Sequence, residues 1–181
     1  MTPAIPPDAR TLTNRQPWAS LIALGVKTIE TRSWRTDHRG PLVIHAGKAE
    51  PSLDNMRPVV DNFDTWRTWY AAGLAPGAAV QPGPLGAVVA VVDLVDVVPI
   101  VDELGLTLPD RSTYVQREQR TTGVTEWWLY NDETGRCADV TGQEPYGDFT
   151  PGRYAWLLDN IRPVDPPVPA KGRQGLWRWN P

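Results

Sequence analysis

The longest apolar run, Leu85–Val98, reads Leu-Gly-Ala-Val-Val-Ala-Val-Val-Asp-Leu-Val-Asp-Val-Val. Its β-branched residues predict a strand buried on both faces, and Asp93 and Asp96 interrupt it. Shorter runs predict strands over Ala9–Arg15, Lys27–Arg32, Pro41–Ala46, Tyr154–Ile161 and Leu176–Trp179. Thr125–Tyr130 and Arg136–Val140 predict a hairpin across 131–135. A helix is expected over Pro17–Leu24, with Pro17 opening it, Gly25 following its last turn, and Trp18, Leu21 and Ile22 as its buried stripe. A second helix is expected over Ser52–Ala72, capped by Ser52 and stopped by Gly73. Its apolar positions are Met56, Val59, Val60, Phe63, Trp66 and Tyr70, and Pro58 predicts a kink or a split. Val101–Gly105 suggests a helical turn, whereas 107–123 is polar and without a clear period. Six or seven strands and two main helices predict an α+β chain, a closed or nearly closed mixed barrel with helices outside.

The 181 residues suit one domain with a sizeable core, and 19 prolines and 15 glycines imply many turns and long connections. A formal net charge of −3 argues against a broad electrostatic grip on duplex DNA, so nucleic-acid binding would need a local basic site. Cys137 is the single cysteine, and His38 and His45 are the two histidines. No intrachain disulfide can form, and neither a metal site nor a cofactor is expected. The N-terminal residues lack the apolar stretch of a signal peptide, and the Gly86–Ile100 run, broken by Asp93, Asp96 and Pro99, is too short and too polar to span a membrane. A cytoplasmic protein with no membrane partner is the expectation.

The densest polar constellation is Gly25-Val-Lys27-Thr-Ile-Glu30-Thr-Arg32. Side chains alternate along a strand, so Glu30 and Arg32 share a face. Lys27 joins them if it lies in the turn before the strand, and it is placed there. The plainer reading is an exposed strand with an ion pair of small worth. The functional reading puts Lys27 and Arg32 on phosphate and Glu30 on an exocyclic amine of a base.

The same segment matches the GxKxxExR signature of the ASCH family at every fixed position, and here the chain resembles that family. The resemblance extends through Gln16–Leu21, Arg32-Ser33-Trp34, His38-Arg39-Gly40 and Ile44-His45-Ala46. Gly86–Leu94, Gly152–Trp156 and Gly172–Trp177 are also similar to bacterial and phage members. It implies a PUA-like mixed β-barrel with flanking helices over residues 10–181, preceded by a tail at 1–9 and with a possible insertion at 100–145. It also implies a cleft for single-stranded RNA or DNA, or for a nucleotide, modified or not. Small relatives hydrolyse N4-acetylcytidine with a Lys and a Thr of the signature and a distant Glu. Lys27 matches that Lys, but Glu30 stands where the Thr would be, and Thr28 and Thr31 are out of register. Glu30 cannot act as the same hydroxyl nucleophile.

Other residues carry two readings each. Nine tryptophans imply core packing for at least half of them. Trp18 reads as core, and Trp34, in Ser-Trp-Arg-Thr, as a stacking platform. Lys48 reads as a phosphate contact or a solvated lysine. Arg173 and Gln174 read as base-edge or phosphate contacts, or as part of a turn kept for its backbone. His45 reads first as a structural histidine. Asp93 reads as a partner for Lys27 or Arg32, or as a general base. Tyr146-Gly147-Asp148 is a further candidate lining. Three functions follow, in this order: a nucleic-acid module using Lys27, Glu30, Arg32, Trp34, Lys48, Arg173 and Gln174; a hydrolase of a nucleoside or RNA, amidohydrolase-like or ribonuclease, with Lys27 and Glu30 catalytic; and a protein-interaction domain.

Overall fold

A computed structural model describes residues 3–7, 9–74, 81–100, 115–119, 125–131 and 134–180. Among the described residues, nine strands run β1 (Arg10–Asn14), β2 (Ile29–Arg32), β3 (Gly40–Ala46), β4 (Ala87–Pro99), β5 (Val115–Gln119), β6 (Thr125–Asn131), β7 (Arg136–Asp139), β8 (Tyr154–Pro169) and β9 (Leu176–Arg178). The helices are α1 (Trp18–Ala23), α2 (Leu53–Val60) and α3 (Phe63–Ala71), with a 3-10 turn at Glu144–Tyr146. Six strands form a mixed sheet in the order β2-β8-β4-β3-β1-β9, and β5-β6-β7 form a second sheet. This is the α+β, PUA-like architecture that the sequence predicts.

The chain divides into two compact units. The first comprises Met1–Lys27, Gly40–Asp93 and Asp159–Pro181. Here β1 lies parallel to β3, with Thr13 opposite His45, and antiparallel to β9. Its core joins Ala9, Val43, Val88, Val91, Val164, Trp177 and Trp179. Leu42, Val43 and Ile44 are all buried, so both faces of β3 are covered. The second unit comprises Thr28–Arg39 and Leu94–Leu158. Its core joins Ile29, Val98, Ile100, Val140, Ala155 and Leu157. The expected hairpin is present, with β6 antiparallel to β7 and Asn131 opposite Arg136.

Two expectations are corrected. Trp18 is half-buried, and α1 buries Ala19, Ser20, Leu21 and Ile22 instead. A short helix with four consecutive covered residues has no single stripe, and its first residue sits at the margin. The long helix divides at Asp61-Asn62 rather than at Pro58, which stays inside α2. Ser52 caps α2 through a reciprocal bond with Asn55, and Asn62 accepts from Thr65 N at 3.0 Å to start α3. The new start resets the helical phase. Thr65 and Trp69 become the buried positions of α3, while Phe63 and Tyr70 are exposed. Val60, expected in the stripe, is exposed at the end of α2. The suggested turn at Val101–Gly105 lies outside the described residues.

Candidate functional site

In the first unit, the chain leaving α1 turns at Gly25, whose φ of +72° favours glycine. The amides of Val26 and Lys27 then both donate to Leu21 O at 3.0 Å. Lys27 therefore lies in the turn ahead of β2, as the spacing predicts, and its side chain has no exposure. Lys48, Arg173 and Gln174 are exposed. Their segments are drawn together by backbone bonds: Gly86 N donates to Gly47 O at 3.3 Å, and Ala170 N donates to Gly86 O at 2.9 Å. Asp93 does not pair as the sequence suggested. Its carboxylate accepts from Asn160 Nδ2 at 2.9 Å and from Arg162 at 2.8 Å. The Asn160 bond first, and then the Arg162 guanidinium, hold that carboxyl below its ordinary range.

In the second unit, β2 pairs antiparallel with β8, placing Glu30 opposite Trp156 and Arg32 opposite Tyr154. Residues directly opposite in such a pair share a face, and their neighbours share the other. The alternate positions Ile29, Ala155 and Leu157 belong to the core. Glu30, Arg32, Tyr154 and Trp156 thus share the opposite face. Glu30 Oε1 lies 2.9 Å from Arg32 Nε, with side-chain exposures of 6% and 24%. The plainer, exposed ion pair is therefore not what forms here. Trp34 stands edge-on to Trp156, with ring centroids 4.8 Å apart and planes at 87°. Trp156 is fully buried, and its Nε1–H has no hydrogen-bond partner among the described residues.

Sequence reading missed Trp156 as a candidate for the site. The signal was the alternation Tyr154-Ala-Trp156-Leu, large aromatics on one face and core aliphatics on the other. The loop at Tyr146–Asp148 belongs elsewhere. Thr31 Oγ1 accepts from Asp148 N at 3.0 Å, and a Cβ at position 147 would lie 3.0 Å from Thr31 Cγ2. Thr31 alternates with Glu30 and Arg32, so that loop covers the other face of β2. The segment carrying Trp34 is tethered by Arg39, whose Nη2 lies 3.0 Å from Asp96 Oδ1.

Among the described residues, no group of three or more His, Cys, Asp or Glu side chains is placed to hold a metal ion. No helix among them is long and apolar enough to cross a membrane.

A mixed sheet with helices, carrying a charged and aromatic strand pair, defines an α+β protein of PUA-like fold. The ASCH domain pattern matches residues 12–134, and the chain belongs to the ASCH family, a family associated with RNA binding. It is also similar to activating signal cointegrator 1 of Homo sapiens, 54% identical over 41 residues, or 23% of this chain and 7% of that protein. The Mus musculus protein of the same name matches with the same identity and coverage. The chain thus spans a small part of these relatives' length.

Proposed function

We propose that this protein binds single-stranded RNA or DNA, or a nucleotide, through base contacts on the β2–β8 face. The observation that carries the reading is the set of groups there. A carboxylate (Glu30), a guanidinium (Arg32), an indole platform (Trp34) and a buried indole donor (Trp156) lie on or beside one face. A single unstacked base needs these kinds of group: a planar surface to stack on and polar groups for its edge. Glu30 accepts from an exocyclic amine, and Trp156 Nε1 donates to a ring nitrogen or carbonyl. A buried N–H without an acceptor costs about 1–3 kcal/mol, which a ligand atom would relieve. Trp34 covers Trp156 edge-on and turns aside to admit the base. Within the first unit, the exposed Lys48, Arg173 and Gln174 are groups of the kind that contact a sugar-phosphate backbone.

The test is titration of short single-stranded RNA and DNA and of free nucleosides, modified ones included, with product analysis after incubation. Trp34→Ala should weaken binding by about 1–3 kcal/mol, the usual worth of one stacked base. Glu30→Gln should change base preference more than affinity, because an amide donates where a carboxylate only accepts. Release of cytidine from an N4-acylated cytidine, lost in Lys27→Ala and unaccompanied by oligonucleotide binding, would establish the hydrolase instead.

A further inference from the structure

His45 is the penultimate residue of β3 and is 1% exposed. Its Nε2 lies 3.2 Å from Ala170 O. A carbonyl oxygen only accepts, so Nε2 carries a proton, and burial disfavours a second one on Nδ1. Nδ1 is buried and has no hydrogen-bond partner among the described residues. Gly172 covers that edge. A Cβ at position 172 would lie 2.4 Å from His45 Cε1, 2.7 Å from Nδ1 and 3.1 Å from Thr13 Oγ1. The backbone of Gly172 is outside the left-handed region, so space and not conformation demands glycine there. Thr13, opposite His45 in the β1–β3 register, accepts from Trp177 Nε1 at 3.1 Å. The Trp177 ring meets the imidazole edge-on, with centroids 5.9 Å apart. Beyond Gly172 the segment rises into solvent as Arg173, Gln174 and Gly175.

We infer that His45 is a positioning residue: its neutral imidazole clamps the 170–175 segment and so fixes where Arg173 and Gln174 meet a single-stranded nucleic acid. The inference rests on the reading of those two residues given above. The clamp has two jaws. One is the hydrogen bond to Ala170, and the other is the contact with Gly172, which admits no side chain. Ordering the segment in advance lowers the entropy lost when its side chains engage a ligand.

The clamp opens with acid. A second proton on His45 would create an N–H at Nδ1 facing Gly172, where no acceptor waits. Lys48 is the charged group acting on the ring, and it disfavours the imidazolium. Arg10, Lys171, Arg173 and Arg178 are the other cations on β1, β9 and the 170–175 segment, while β4, the other neighbour of β3, carries Asp93 and Asp96, whose carboxylates are paired with Arg162 and Arg39. Burial, more than Lys48, pushes the imidazole below its ordinary value of 6.5. A depressed histidine means that the unfolded or opened state takes the proton first. The clamp is therefore intact above pH 6.5 and weakens as the pH falls below it.

The experiment measures two quantities on the full chain between about pH 8 and pH 6. One is the affinity for a short single-stranded RNA. The other is amide hydrogen exchange of residues 171–175, with the Trp177 indole N–H resonance as a second reporter. His45→Ala and Gly172→Ala should each weaken RNA binding about tenfold and speed exchange in the segment. Adding Arg173→Ala to His45→Ala should bring little further loss, because both act through one contact. His45→Ala/Gly172→Ala should exchange more slowly than Gly172→Ala alone, since removing the ring makes room for the new Cβ. Wild-type affinity should fall towards pH 6 more steeply than that of His45→Ala. Unchanged exchange in both single variants overturns the clamp. Faster exchange with undiminished Arg173-dependent binding overturns its link to the ligand. If wild type binds no oligonucleotide, the proposed function falls, while exchange still decides whether the clamp exists. Should His45→Ala fail to fold, Gly172→Ala and the wild-type pH series decide alone.

Discussion

Asp96 has no exposed surface, yet its carboxylate is fully engaged. It faces Arg39 at 3.0 Å, accepts from Thr134 Oγ1 at 2.8 Å, and accepts from its neighbour Val97 N at 2.8 Å. Burying a carboxylate is tolerable only with such a set of partners. Arg39 in turn donates to the carbonyls of Thr36 and His38, so one ion pair fixes the whole turn after Trp34. Asp96→Ala should destabilise the fold by about 2 kcal/mol in urea denaturation, less than a fully buried pair would because Arg39 is partly exposed. It should also weaken base stacking on Trp34 by loosening its segment. At this scale the sequence was partly legible. The spacing of Glu30 and Arg32 was enough to place them on one face, since strand alternation is a local rule. The pairing of Asp93 with Arg162 was not legible, because 69 positions separate the two and only the sheet brings them together.

Among the elements, the divided helix is the informative case. The apolar positions of 52–72 fit a period near 3.6 throughout, and Pro58 seemed the natural place to break it. A proline still within the first two turns of a short helix removes few bonds, whereas Asp61-Asn62 offers both an end and a new cap. Asn62→Ala should therefore cost about 1 kcal/mol of stability, read from the denaturation midpoint, by removing the acceptor for Thr65 N. Most strands were legible to within a few residues because their β-branched runs are bounded by Gly and Pro, but β8 continues past its expected end at Ile161 to Pro169, and β5 lies in a polar stretch where no strand was expected. The displaced phase of α3 was not legible, since it depends on a cap rather than on periodicity. Its result is an exposed aromatic ladder. Phe63 and Trp66 have centroids 6.3 Å apart, Trp66 and Tyr70 5.3 Å apart, both at 24°.

For the molecule as a whole, charge sets the manner of binding. With 18 Lys and Arg against 21 Asp and Glu, attraction to a polyanion must be local. If Lys48 and Arg173 each neutralise one phosphate, each adds roughly 0.7 to the log–log salt slope on single strands. The total should be about 1.4, measured by titrating RNA at several salt concentrations, and Lys48→Ala should lower it by about 0.7. A slope several times larger would mean a basic surface that the composition does not provide. The edge-on pair Trp34 and Trp156 has a separate, optical consequence. Two indoles held at right angles 4.8 Å apart share their electronic excitation, because their transition dipoles couple at so short a range. The protein thus carries, at its proposed base site, a chromophore pair whose circular-dichroism couplet depends on the angle between the rings. Any ligand that turns Trp34 aside alters that couplet without a label.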